Sequence, residues 1–129
     1  MHPHSFGDHL GLAFTAPPAD GGSCCELSIA PEHLNPHGVV HGAVLFALAD
    51  TGMGAALYPT LAPGESCATI EIKINFHRSA REGRLRCVST LVNRGRSVAT
   101  LEARLTLDDR LIATASGNFA IFPRERSAA

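Results

Sequence analysis

Residues 39–59, VVHGAVLFALADTGMGAALYP, constrain this chain more than any other stretch. Ala, Val, Leu, Phe and Met run through it without a polar face, broken only by Asp50 and Thr51. A helix that is apolar all round is a buried helix. The run from Gly42 to Leu57 is too long for an ordinary strand, and Pro59 follows its end. It also makes a poor membrane span: Val39 to Leu57 holds His41, Asp50 and three glycines, and a charge at mid-bilayer is expensive. Gly52 and Gly54 each cost about 1 kcal/mol of helix propensity, which points to close approach by another backbone.

The remainder reads as strands. Leu10 to Ala16 is a short apolar edge-strand candidate, the stretch 17–22 (PPADGG) is a loop, and Ser23 to Ala30 is a second strand. From Thr69 the chain alternates, with Ile70, Ile72, Ile74 and Phe76 set against Glu71, Lys73, Asn75 and His77, as in a strand buried on one face. Arg84 to Val92, Val98 to Leu107 and Leu111 to Phe122 follow, joined by turns at 93–96 and at Asp108-Asp109. Consecutive strands on short turns predict an antiparallel meander. The expected class is α+β: a curved sheet of five to six antiparallel strands wrapped around one long central helix. The whole chain, 1–129, is expected to be a single domain, with 1–9 and 123–129 as mobile tails.

Composition narrows the function. At 45 % hydrophobic and 18 % charged residues the chain is no disordered polymer. A net charge of −1 gives no field to recruit nucleic acid or an anionic membrane, and without tryptophan, stacking platforms are scarce. Cys24, Cys25, Cys67 and Cys87 form no C-x-x-C pair and are expected as free thiols in a reducing cytosol. The N-terminus shows no signal-peptide pattern, so the expected location is cytoplasmic.

Two features could carry chemistry. Asp50 is the lone carboxylate in an apolar helix, and burying such a group uncompensated costs several kcal/mol. It either lies at a solvent-facing gap, or bonds a neighbouring backbone group, or is a desolvated general base or nucleophile of raised pKa. The second feature is the helix mouth, residues 35–42 (NPHGVVHG), where the first N–H groups lack partners. Those donors and the positive dipole end suit a carbonyl or oxyanion; alternatively, Asn35 caps and His41 packs. Gly42 and Asp50 lie about 12 Å apart along a helix, so they cannot reach one carbonyl together. Either they are unrelated, or two antiparallel copies bring the mouth of one helix to Asp50 of the other across a two-fold axis. Gly52 and Gly54 would suit that contact. His33, His37 and His41 stand at metal-ligand spacing, but Pro36 and Gly38 interrupt any helix that would align them.

His41-Gly42-Ala43, with Asn35 six residues before the histidine and Leu48-Ala49-Asp50 after it, resembles the hotdog-fold acyl-CoA thioesterases of the phenylacetate-pathway (PaaI-like) type. The likeness continues through residues 68–76 (ATIEIKINF), Gly83 and the Gly95-Arg96 turn. The resemblance implies thioester hydrolysis at a dimer interface, with dimers often paired into tetramers. It implies that Asp50 is the catalytic carboxylate and that the Gly42 N–H polarises the thioester carbonyl. Asn35 and His41 would lie near the thioester and the water, which Thr69 would help to orient. The family's usual second glycine is Ala43 here. A related branch has Glu at the acid and Thr one turn later; Asp50 and Gly54 place this chain in the Asp branch. Such chemistry needs no metal or cofactor, because a thioester is electrophilic and its thiolate leaves readily. Arginines suit the phosphates of coenzyme A: Arg94 and Arg96 flank Gly95, and Arg78, Arg81, Arg84 and Arg86 surround the preceding turn. Two other classes compete, a hotdog enoyl-CoA hydratase or dehydratase and a non-catalytic acyl-CoA-binding module.

Overall fold

The long apolar run forms helix α2, Gly42–Leu57. In the computed structural model, which describes residues 3–124, the other elements are arranged around it. A short helix α1 (Ser5–Leu10) precedes strands β1 (Leu12–Thr15) and β2 (Ser23–Ser28). After α2 come β3 (Glu65–Phe76), β4 (Arg84–Arg94), β5 (Val98–Leu107) and β6 (Arg110–Pro123). Single 3₁₀ turns, Pro31–His33 and Tyr58–Thr60, flank the two ends of the α2 region.

The six strands form one antiparallel sheet in the order β1-β2-β4-β5-β6-β3. This corrects the expectation of a simple meander. Only β4-β5-β6 is one; β3 pairs with β6 at the far edge, because α2 crosses the sheet and delivers the chain there. The β5–β6 hairpin turns on Asp108 and Asp109, both at positive φ (49° and 64°), a conformation short polar side chains tolerate in two-residue hairpins.

Leu48, Met53 and Leu57 of α2 are fully buried together with Leu27, Leu85, Leu101, Leu105 and Ile112 of the sheet. Burial of each contributes about 1.5–3 kcal/mol. Gly52 is required here: a Cβ would lie 2.6 Å from Ser89 Oγ and 3.4 Å from Cys87 Sγ. Side chains of the sheet, rather than another backbone, press on it, and Ser23 Oγ donates to its carbonyl at 2.6 Å. Gly52 therefore belongs to the interior of the protomer and not to a contact between copies.

Two apolar surfaces stay uncovered. Helix α2 is not buried all round: Ala43 and Phe46 are exposed, with Asp50 and Gly54 half-buried in the same stripe and Tyr58 exposed just past its end. Strand β3, read as buried on one face, is an edge strand beyond the helix, and its Ile70 and Phe76 are each 55 % exposed. Ile70 sits at a bulge, since Thr69 pairs with Phe119 and Glu71 with Asn118.

The expected tails are also partly ordered. His4 caps α1 by accepting the Gly7 N–H through Nδ1 at 2.9 Å, and Gly11 ends the helix at φ 84°. At the other end, Pro123 pairs with Glu65, and the Arg124 N–H donates to the Gly64 carbonyl at 2.7 Å. Residues 1–2 and 125–129 of those tails lie outside the described residues. Truncating Leu48 to Ala, where α2 meets the sheet, is expected to lower stability by about 2–5 kcal/mol. Urea unfolding followed by circular dichroism measures the loss.

Candidate active site

Asp50 opens onto a cavity of about 600 Å³ between α2, β3 and the N-terminal segment. Phe6, Phe14, Tyr58 and Phe119 supply aromatic walls, and Thr69 and Cys67 come from β3. The carboxyl is half-buried rather than sealed in the core, because its face of α2 is the one the sheet leaves uncovered. Thr69 Oγ1 donates to Asp50 Oδ1 at 2.6 Å, a short bond that restrains the carboxyl rotamer and leaves Oδ2 without a protein partner among the described residues. Burial pushes the Cys67 thiol up, so it lines the wall as a neutral group.

The mouth of α2 is built separately. Asn35 organises the approach loop: its Oδ1 accepts from the N–H groups of His37 (2.9 Å) and Val39 (3.4 Å). The Val40 N–H bonds to the Ala80 carbonyl and the His41 N–H to the His33 carbonyl, both at 2.8 Å. His41 is the N-cap; its Nδ1 accepts the Ala43 N–H at 2.9 Å, and its carbonyl accepts the Val44 N–H at 2.9 Å. Nδ1 is therefore the acceptor of this pair, which leaves Nε2 as the ring nitrogen able to donate. Two of the first three helix donors are thus satisfied, while among the described residues the Gly42 N–H has no acceptor. Gly42 lines a second cavity of about 450 Å³, together with Val39, Leu45, Phe76 and Arg78 among others.

The structure thus sorts the five expected catalytic residues into two groups. Asp50 and Thr69 meet at mid-helix; Asn35, His41 and Gly42 gather at its mouth. No single protomer joins them, since eight helical residues separate Gly42 from Asp50 by about 12 Å.

Of the expected phosphate-binding turn, Arg94 is committed internally. It donates to Glu65 Oε1 at 2.8 Å, to the Thr60 carbonyl at 3.3 Å and to the Gly95 carbonyl at 2.8 Å. The Ala62 N–H and this guanidinium hold the Glu65 carboxyl below the usual carboxylate range. Arg96 is exposed at the turn beside Gly95. Of the earlier arginines, Arg84 pairs with Glu26 at 2.8 Å and Arg86 donates to Cys24 Sγ. The three spaced histidines do not converge: His33 is buried, accepting the Ala30 N–H at Nδ1 and donating from Nε2 to the Leu10 carbonyl at 2.7 Å. Among the described residues, no group of three or more His, Cys, Asp or Glu is placed to hold a metal. The sequence alone names none of the aromatic walls of the Asp50 cavity. Phe6, Phe14 and Phe119 lie over a hundred positions apart at the extremes, and no local pattern links them.

A curved antiparallel sheet gripping one long helix is the hotdog fold. The family model described as the thioesterase superfamily matches residues 37–114; the chain belongs to that superfamily and is a thioester hydrolase. It is 35 % identical over 113 residues to a Pseudomonas aeruginosa protein described as an esterase, covering 87 % of this chain and 84 % of the relative. A solved Ralstonia eutropha structure, described as a thioesterase and phenylacetic acid degradation-related protein, superposes with a TM-score of 0.85 at 30 % identity. That match covers 93 % of this chain and 92 % of the other. A Haemophilus influenzae thioesterase reaches a TM-score of 0.90 at 22 % identity, over 98 % and 88 % of the two chains, a likeness of fold. Among the described residues, no helix is long and apolar enough to cross a membrane.

The capping geometry yields a separable prediction. His41→Ala is expected to lose about 1 kcal/mol of stability with the cap, and His41→Ser to retain most of it. Denaturant midpoints of the two variants check this; equal midpoints would contradict the capping role.

Proposed function

We propose that this protein hydrolyses an acyl- or aryl-CoA thioester to the free acid and coenzyme A, at a site shared by two copies of the chain. The observation that carries the reading is the pairing of Asp50 with Thr69 at one place and the unpaired Gly42 N–H at another, on one rigid helix. An antiparallel second copy would bring the Gly42 donor of one protomer to the Asp50 cavity of the other. The uncovered stripe through Phe46 and Tyr58 and the apolar β3 edge at Ile70 and Phe76 support that partner. Dimers of this kind, alone or paired into tetramers, would contain two equivalent sites each.

In this reading the thioester carbonyl oxygen accepts the Gly42 N–H, which stabilises the negative charge that develops there. The helix dipole adds to this effect. Asp50 acts as general base on a water or as the nucleophile, and Thr69 holds it with one oxygen free. Asn35 and His41 set the shape of the mouth, with Nε2 of His41 available as a second donor. Arg96 is the candidate for a coenzyme A phosphate, while Arg94 anchors the loop behind it. Four free thiols fit a reducing, cytoplasmic setting.

A thiol-release assay over a panel of acyl-CoA thioesters, run on wild type and Asp50→Asn, tests the proposal. The variant is expected to melt as wild type does and to lose roughly 10²-fold or more in kcat. Undiminished turnover in Asp50→Asn would contradict the assignment. Substrate consumption without thiol release would indicate a hydratase, and binding without turnover in wild type a carrier module.

A further inference from the structure

Helix α2 holds two glycines within one turn, and they are there for different reasons. Gly52 has no room for a side chain. Gly54 has room: a Cβ built on it would meet only Phe119 Cε2, at 3.9 Å, an ordinary van der Waals distance. Its backbone is helical and its φ is not in the left-handed region, so neither packing within the protomer nor conformation demands glycine. Glycine is nonetheless among the poorest helix formers. Gly54 lies one helical turn beyond Asp50 and lines the same cavity, together with Ala47 and Ala55. All three leave the floor of that cavity bare, facing the rings of Phe6, Phe14, Tyr58 and Phe119.

We propose that Gly54 is the specificity-determining residue of this site: the space its missing side chain leaves beside Asp50 sets the largest acyl group the cavity admits. This rests on the reading of the Asp50 cavity as the acyl site. Any side chain at this position would project from the helix into the cavity about 6 Å along the axis from Asp50. It would stand where the part of the acyl group beyond the carbonyl must lie. Small acyl groups would end before reaching it, and bulky ones would collide with it. Cys67 and Ala68 on β3 line the same cavity, so a side chain added at Gly54 would narrow the space between helix and strand.

The test is a ratio rather than a single rate. Values of kcat/KM are measured for phenylacetyl-CoA and acetyl-CoA with wild type, Gly54→Ala and Gly54→Leu. The phenylacetyl-to-acetyl ratio is expected to fall about threefold or more in the alanine variant and thirtyfold or more in the leucine variant. A ratio that stays within threefold of wild type in both variants overturns the proposal, as does a wild type that turns over acetyl-CoA but not phenylacetyl-CoA. Sedimentation is run in parallel: loss of both activities together with loss of self-association would place Gly54 in a contact between copies, and also overturns it. Gly54→Ala keeps the test decisive if the leucine variant fails to fold, since alanine improves the helix and clears Phe119. If wild type hydrolyses no thioester, the hydrolase reading fails separately. Calorimetric binding of the non-hydrolysable phenylacetonyl-CoA thioether then decides for Gly54, with weaker binding in the two variants supporting it and equal binding overturning it.

Discussion

A straight helix cannot bend its two ends to one point, and the proposed chemistry of this protein depends on that constraint. The 1.5 Å rise per residue keeps the free Gly42 N–H and the Asp50 carboxyl about 12 Å apart. Each is well made for its task. The donor is left over because His41 and its carbonyl take the neighbouring donors, and the acid is oriented by a 2.6 Å bond from Thr69. Neither could polarise and attack the same carbonyl from within one protomer. A second copy running antiparallel is the simplest arrangement that makes both useful, and it would cover the apolar stripe that α2 leaves open.

The same helix explains how stability and the site are kept apart. Its inner face, with Leu48, Met53 and Leu57, is fully buried against the sheet, and Gly52 lets it approach Ser89 and Cys87 closely. Its outer face carries Asp50 and Gly54 into a cavity walled by aromatic side chains. Beyond the end of α2, Arg94 ties the 3₁₀ turn to β3 through Thr60 and Glu65. That corner holds Tyr58 and Pro59, which form part of the cavity wall.

Much of this was legible in the residues. The limits of α2 followed from an apolar run bounded by a glycine and a proline, a strong local signal, and they match the structure. The β5–β6 hairpin was equally clear from Asp108-Asp109 between alternating segments. What failed was non-local. Alternation along β3 marks an apolar face but cannot say whether anything in the same protomer covers it, and Ile70 and Phe76 stay exposed. Short turns implied a meander, yet the chain between Phe76 and Arg84 carries β4 across to the middle of the sheet. The ion pair of Arg94 with Glu65 joins residues 29 positions apart, which no local pattern reveals. The N-terminal segment read as a tail, since its anchors are His4 and the distant His33. The Asn35, His41, Gly42, Asp50 and Thr69 set was assembled from a family likeness. Geometry adds the division of that set between the two places along α2.

The sharpest test of a shared site is complementation between two inactive proteins. Asp50→Asn removes the acid. Gly42→Pro removes the N–H at the first helical position, where proline is compatible with the helix and where an added Cβ would lie 3.0 Å from the ring of Phe76. Co-expressed in equal amounts, the two variants form mixed dimers with one intact site apiece, and thiol release is expected to recover to about a quarter of wild type. Activity no greater than that of the separate variants would mean that acid and donor do not act across two chains, and would contradict the account.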